Sequence, residues 1–387
     1  MQDPARLLRC LLPVCFCFAF AATLLSESRN TEISETTEDR VAATPWWPTK
    51  TVADAWQLVG NAECAKCHTD KAATQATTPM AHAGARAADG EILRDHASLT
   101  GELAPYRYEI VREPAGSAYS VSDGGRKISA QLEWAFGVGH TGQTYVYSRD
   151  GAYYESRMSF YRTLQSLALT TGHPSGSPVS IEAALGRRMD SSEAQHCFGC
   201  HTSGSMIAGR FDPSEATPGV TCEQCHGPGA KHVDAMKAGK IDEGRRAILN
   251  PRRLSAVASV DFCGACHRTW ADVLQAQVTG VANVRFQPYR LESSKCWGRG
   301  DGRLACFTCH DPHEPLATKT ASYDSKCLSC HVTREGERVA NHPGAACPIA
   351  TSDCASCHMP KVEVPSMHAP FTDHRIRVVR DATAYPN

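Results

Sequence analysis

Cys64-Ala65-Lys66-Cys67-His68 is the first of seven copies of one pentapeptide, C-x-x-C-H, in a chain of 387 residues. The paired thiols are Cys64 and Cys67, Cys197 and Cys200, Cys222 and Cys225, Cys263 and Cys266, Cys306 and Cys309, Cys327 and Cys330, and Cys354 and Cys357. Each second cysteine is followed at once by a histidine: His68, His201, His226, His267, His310, His331 and His358. A random order of this composition gives about 0.04 such matches, so the repetition is not an accident of the 19 cysteines.

The spacing carries a chemistry. Two thiols three residues apart meet the two vinyl groups along one haem edge, and the histidine that follows is turned under the porphyrin as an axial iron ligand. The expected cofactors are therefore seven covalently bound haems c, with those seven histidines as proximal ligands. Zinc sites built from paired C-x-x-C units do not require a histidine after every second cysteine, and thiol redox centres fail on the same point.

Ten histidines remain outside the motifs. His82, His140, His232, His313, His342, His368 and His374 are the candidate distal iron ligands. His232 follows His226 across Gly227-Pro228-Gly229, which bends the chain toward a neighbour, and His313 lies too close to His310 to reach over the same iron. His96 and His173 read as loop histidines, and His196 is constrained by its bond to Cys197. Met80, Met206 and Met367 are reserve ligands. Ligation by two histidines closes the iron to substrate and makes a relay, whereas one open position makes an enzyme. Cys296 and Cys347 are the leftover pair outside motifs and leader, and an oxidising compartment would favour a disulfide between them, with two buried thiols as the alternative.

Arg6 and Arg9 precede an apolar run from Cys10 to Leu25, too short for a spanning helix and suited to a signal peptide over 1–25. Export to the periplasm or beyond follows, unless the signal is retained as an anchor. Residues 26–55 are rich in Thr, Ser and Glu and read as a disordered linker, with Pro45-Trp46-Trp47-Pro48 able to dock on the body. Residues 56–105 form a first haem-binding segment. Alternation at Tyr106 to Val111 and the turn Ser148-Arg149-Asp150-Gly151 between two Tyr-rich runs predict an antiparallel β insertion over 106–165. From 166 to 380 the chain turns to short helical pieces around the remaining six motifs. Aliphatic content there is thin, so the cofactors must serve as core. The fold class expected is mostly α and irregular, organised around covalent haems, with the small β insertion between haems one and two. A net charge of −1 argues against nucleic acid, and redox donor and acceptor proteins are the expected partners.

The sequence resembles the cytochrome c554 and hydroxylamine-oxidoreductase-like superfamily of multihaem cytochromes. The resemblance rests on Asn61-Ala62-Glu63-Cys64, Ala184-Leu185-Gly186-Arg187 before Cys197, Gly219-Val220-Thr221-Cys222 running to His232, Asp311-Pro312-His313, Cys354 to Pro360, and Phe371-Thr372-Asp373-His374. It implies stacked haems with mostly His/His ligation, in electron carriers and in enzymes acting on nitrogen or sulfur compounds. The C-x-x-C-K motif of the related nitrite reductases is missing here. Electron transfer is the leading expectation. The alternative is an oxidoreductase with one open haem, expected at the first motif beside Tyr106, Tyr145 and Tyr154. A partner face is expected at Arg149, Arg157 and Arg162 of the β insertion.

Overall fold

The alternation at Tyr106 becomes the strand Tyr106–Glu113, whose inward residues Tyr106, Tyr108 and Ile110 are buried. It pairs antiparallel with Ser98–Leu103 and with Gly116–Ser122, and Lys127–Gln131 completes a four-stranded sheet. A second sheet of five strands runs in the order Gly84–Arg86, Trp134–Phe136, Thr144–Arg149, Ala152–Ser156, Gly186–Arg188. Its tight hairpin pairs Arg149 with Ala152 across Asp150 and Gly151, whose φ values of 50° and 73° give the positive pair that a two-residue hairpin turn needs. This is a computed structural model, and it describes residues 36–43, 46–49, 57–294, 296–297, 304–331, 347, 349–350 and 352–379. The expected signal peptide and His342 lie outside the described residues.

The β unit therefore extends from Gly84 to Arg188, wider than the expected 106–165. Its outer strands Gly84–Arg86 and Gly186–Arg188 have three residues each, too few to show an alternation. Gly101 hides a third, since the strand Ser98–Leu103 crosses so near Leu167 that a Cβ on Gly101 would sit 2.4 Å from the Leu167 carbonyl oxygen. Tyr106, Tyr108, Tyr119, Tyr145, Tyr147, Phe160 and Leu185 fill the core of this unit. Tyr106 and Tyr145 are thus core residues with Tyr154 packed against them, and do not form the ligand pocket considered at the first motif. Arg157 is likewise buried, donating to the carbonyls of Pro174 (2.7 Å) and Gly176 (2.8 Å) instead of facing a partner.

Beyond the β unit the C-x-x-C-H motifs ride on short helices: Ser191–His201, Cys222–His226, Ala256–His267, Cys306–Cys309, Asp324–His331 and Cys354–His358. Asp190 caps the first through the Glu193 amide (2.9 Å), and Ser255 caps the third through the Ala258 amide (3.2 Å). No helix among the described residues is long and apolar enough to cross a membrane.

The expected linker is partly folded. Thr37–Ala43 is a helix, and Trp46 and Trp47 are buried against Phe262 and Ala265. Trp46 Nε1 donates to the Gln224 carbonyl at 2.9 Å, and Arg40 pairs with the buried Asp261. Two indoles bring enough apolar area to overcome the polar composition around them. Trp47→Ala should cost about 3 kcal/mol of stability, measured by denaturant unfolding of the haem-loaded protein. A cost under about 1 kcal/mol would place the Trp pair on the surface.

Candidate haem centres

An imidazole that binds a metal through Nε2 needs its Nδ1–H held by an acceptor, which fixes both tautomer and ring direction. Three of the motif histidines show it. His201 Nδ1 donates to the Ala83 carbonyl (2.7 Å), His226 Nδ1 to the Leu249 carbonyl (2.8 Å) and His358 Nδ1 to the Arg377 carbonyl (2.9 Å). Outside the motifs, His232 donates to the Gly244 carbonyl (2.8 Å), His374 to the Thr372 carbonyl (3.0 Å) and His313 to Asp311 Oδ1 (2.9 Å). Burial pushes His201, His226, His267, His310 and His374 below the usual imidazole range, His374 to about 4. They are therefore neutral at ordinary pH, the form that offers a lone pair.

Three histidines of the motifs face a histidine from elsewhere in the chain. His68 faces His232 with ring centroids 6.3 Å apart, His226 faces His313 at 5.9 Å, and His310 faces His374 at 6.2 Å. That is the spacing two imidazoles need to share one metal ion, given metal–nitrogen bonds of about 2 Å on each side. With free thiols beside each motif histidine, this donor set fits haem c. The other distal candidates stand differently. His82 is exposed and turns Nε2 to the Ala76 carbonyl (2.9 Å), His140 is exposed, and His368 packs edge-on against Tyr161 at 4.7 Å. His96 packs on Phe160, and His173 bonds Glu155 Oε2 at 2.9 Å. Cys347 is exposed, with its pKa lowered by the Ala350 and Ile349 amides, and Cys296 is half-buried.

The motifs also touch one another. The helix of motif 1 contacts that of motif 3, the helix of motif 4 contacts those of motifs 2 and 5, and the helix of motif 6 contacts that of motif 7; the Cys200 thiol donates to the Ala265 carbonyl at 3.8 Å. Cys225 of motif 3 packs against the cluster of Trp46, Trp47, Phe262 and Ala265 that flanks motif 4. Numbered along the chain, motif 1 thus neighbours motif 3, motif 4 neighbours motif 5, and motif 6 neighbours motif 7. Motif 2 joins at motif 4.

Motif 2 sits against the β unit. Phe198 packs on Trp134 and Phe136, and Phe136 stacks on the His201 ring at 4.9 Å. A Cβ on Gly84 would lie 2.3 Å from the His201 carbonyl oxygen, so only glycine lets this strand approach the motif. A cavity of about 230 Å³ opens beside Cys197 and His201, lined also by Phe136, Glu155, Tyr161 and Met367.

Sequence reasoning passed over the residues that hold these parts together. Glu223, a variable position inside motif 3, is buried and accepts from the amides of Val59 (2.9 Å), Gly60 (2.8 Å) and Gly229 (2.8 Å). It ties the entry to motif 1 and the loop before His232 to motif 3. Asp311 anchors His313 while pairing with Lys71 at 2.7 Å, which keeps its carboxyl well below the usual range. A carboxylate inside or beside a motif was the available signal.

Residues 154–227 match the family described as cytochrome c554 and c-prime. The chain is 24% identical over 199 residues to the multiheme cytochrome MtrA of Shewanella baltica, covering 47% of this chain and 52% of that protein. It is 34% identical over 95 residues to cytochrome c-554 of Nitrosomonas europaea, covering 22% and 40%. It is 24% identical over 178 residues to the high-molecular-weight cytochrome c of Nitratidesulfovibrio vulgaris, covering 43% and 26%. The chain thus spans about half or less of the length of these curated relatives. A solved structure, the outer cell wall cytochrome OcwA, superposes with a TM-score of 0.48 at 17% identity, over 84% of this chain and 80% of that one. The seven motifs, the cytochrome family matched by residues 154–227 and the curated cytochromes it is similar to lead to one conclusion: the chain is a multihaem c-type cytochrome.

Proposed function

We propose that the chain is an exported heptahaem electron carrier, with one haem c at each motif and most irons ligated by two histidines. The carrying observation is the three facing imidazole pairs, because a second imidazole removes the position that a substrate would take. His68 with His232, His226 with His313 and His310 with His374 are the proposed ligand pairs of the first, third and fifth centres. The proximal roles of His201, His267, His331 and His358 follow from the motif, and His82, His140, His342 and His368 remain candidates for their distal sides. One-electron redox chemistry is what haem c supplies when bound. The protein's own part is to hold the imidazoles neutral and oriented, and to set which centres are neighbours. The contacts between the motif helices, which pair motifs 1 with 3, 4 with 2 and 5, and 6 with 7, support a path through motifs 1, 3, 4, 5, 6 and 7, with motif 2 as a branch at motif 4. Redox proteins that donate and accept electrons are the partners of such a carrier, and the basic, apolar leader supports export.

A second reading has one observation in its favour. Phe136 stacks on His201, and the cavity beside this histidine is lined by Glu155, Tyr161 and Met367. An open sixth position at motif 2 would make the protein an oxidoreductase for a small nitrogen or sulfur compound. Motif 2 replaces motif 1 as the place for it, since His68 faces His232.

Electron paramagnetic resonance of the oxidised protein, with haem counted by mass spectrometry, separates the two readings. Seven low-spin haems are expected, and a high-spin signal abolished by removing motif 2 would select the oxidoreductase. His232→Ala and His313→Ala should each convert one haem from low to high spin; spectra unchanged by either would remove the ligand assignment. Cys197→Ser combined with Cys200→Ser should leave the rate of electron passage between the two ends unchanged in stopped-flow reduction. A collapsed rate, with the other six haems still low-spin, would put motif 2 in the main path.

A further inference from the structure

We infer that the buried Arg290–Asp373 ion pair is a positioning device shared by two centres, fixing His374 opposite His310 and fixing His358 within its own motif. The inference rests on the ligand reading above and goes beyond it by naming what orients the ligands. Both side chains are fully buried. Arg290, on the helix Gln287–Glu292, grips the carboxylate with both arms: Nε to Oδ1 at 2.8 Å and Nη2 to Oδ2 at 3.0 Å. Asp373 also accepts the Arg375 amide at 3.0 Å and Arg377 Nη1 at 2.5 Å, and its own amide donates to the Pro360 carbonyl at 2.9 Å.

Two imidazoles hang on this knot. His374 is the next residue, with Nδ1 on the Thr372 carbonyl and its own carbonyl accepting from Ser294 Oγ at 3.2 Å. Arg377, held by the same carboxylate, receives Nδ1–H of His358 on its carbonyl at 2.9 Å and donates its amide to the His358 carbonyl at 3.2 Å. The Asp373 carboxylate therefore fixes the far side of motif 5 and the near side of motif 7 through one short segment. Stability alone is a poor reason for such a pair, because apolar side chains of similar volume serve as well or better. A two-armed guanidinium on a carboxylate instead fixes direction, which ligand placement requires.

The test uses the haem-loaded full chain and the variants Arg290→Gln, Arg290→Lys, Asp373→Asn and His374→Ala. Arg290→Gln and the isosteric Asp373→Asn should each turn one low-spin haem high-spin and shift a second low-spin signal, with added imidazole restoring the first. Arg290→Lys, which keeps the charge and loses the fork, should fall between. His374→Ala should give the same high-spin haem, and combining it with Arg290→Gln should add no second one. If His374→Ala leaves every haem low-spin, the ligand reading fails. If His374→Ala acts but Arg290→Gln and Asp373→Asn keep the parent spectrum and potentials, the positioning inference fails and the ligand reading stands. Loss of all low-spin signals in both Arg290→Gln and Asp373→Asn would show a pair that holds the whole fold, and would equally overturn the inference.

Discussion

An imidazole turns freely about the bond that joins it to the chain, and it serves a metal only when that turn is stopped. In this protein the stop is a hydrogen bond from Nδ1–H to a main-chain carbonyl, repeated at His201, His226, His232, His358 and His374. A carbonyl is a good brake because its position is set by backbone packing and not by a rotamer. The acceptors come from remote segments: Ala83 for His201, Leu249 for His226, Arg377 for His358. The problem of orienting a ring thereby becomes the problem of fixing a loop. Much of the chain outside the β unit can be understood as solving it.

Loops are usually fixed by burying apolar side chains, and here the supply is concentrated elsewhere. The two larger apolar clusters fall between Ala87 and Ala216, and the smaller one comprises Trp46, Trp47, Phe262 and Ala265. The remaining loops are tied by buried or half-buried carboxylates: Glu223 gathers three backbone amides, Asp311 holds His313, and Asp373 holds Arg290. Hydrogen bonds to a charged acceptor are short and directional, so each can define a loop that has no core of its own. The cost is desolvation of the carboxylate, which several donors around one group offset.

The sequence made the local parts legible. The seven motifs stand out because their chemistry lies within five residues, and the Asp150-Gly151 hairpin because its turn dictates its own φ angles. Distant relations were less visible. The bend at Gly227-Pro228-Gly229 pointed His232 at a neighbour, but nothing in the order of residues said that His68 would be the ring it meets. The three-residue strands at Gly84 and Gly186 carry no periodicity, and each is admitted to its place by a glycine under a carbonyl oxygen. Pro45-Trp46-Trp47-Pro48 stood out as able to dock, but nothing local named Phe262 and Ala265 as the residues it meets.

Order along the chain and order in space part company at motif 2, and the β unit gives the reason. The 128 residues between motifs 1 and 2 hold a four-stranded, a five-stranded and a two-stranded sheet, and the edge strand Gly84–Arg86 closes on the backbone of His201. Trp134, Phe136 and Phe198 continue the apolar core up to that motif. One flank of motif 2 is thus taken by protein, and Cys200 reaches motif 4 at the Ala265 carbonyl. Motifs 1 and 3, freed from this flank, meet through the helices Asn61–Ala65 and Cys222–His226. A long insertion between two motifs would ordinarily separate them from the rest. By packing against the later motif it instead moves that motif to the side, and lets the first join the third.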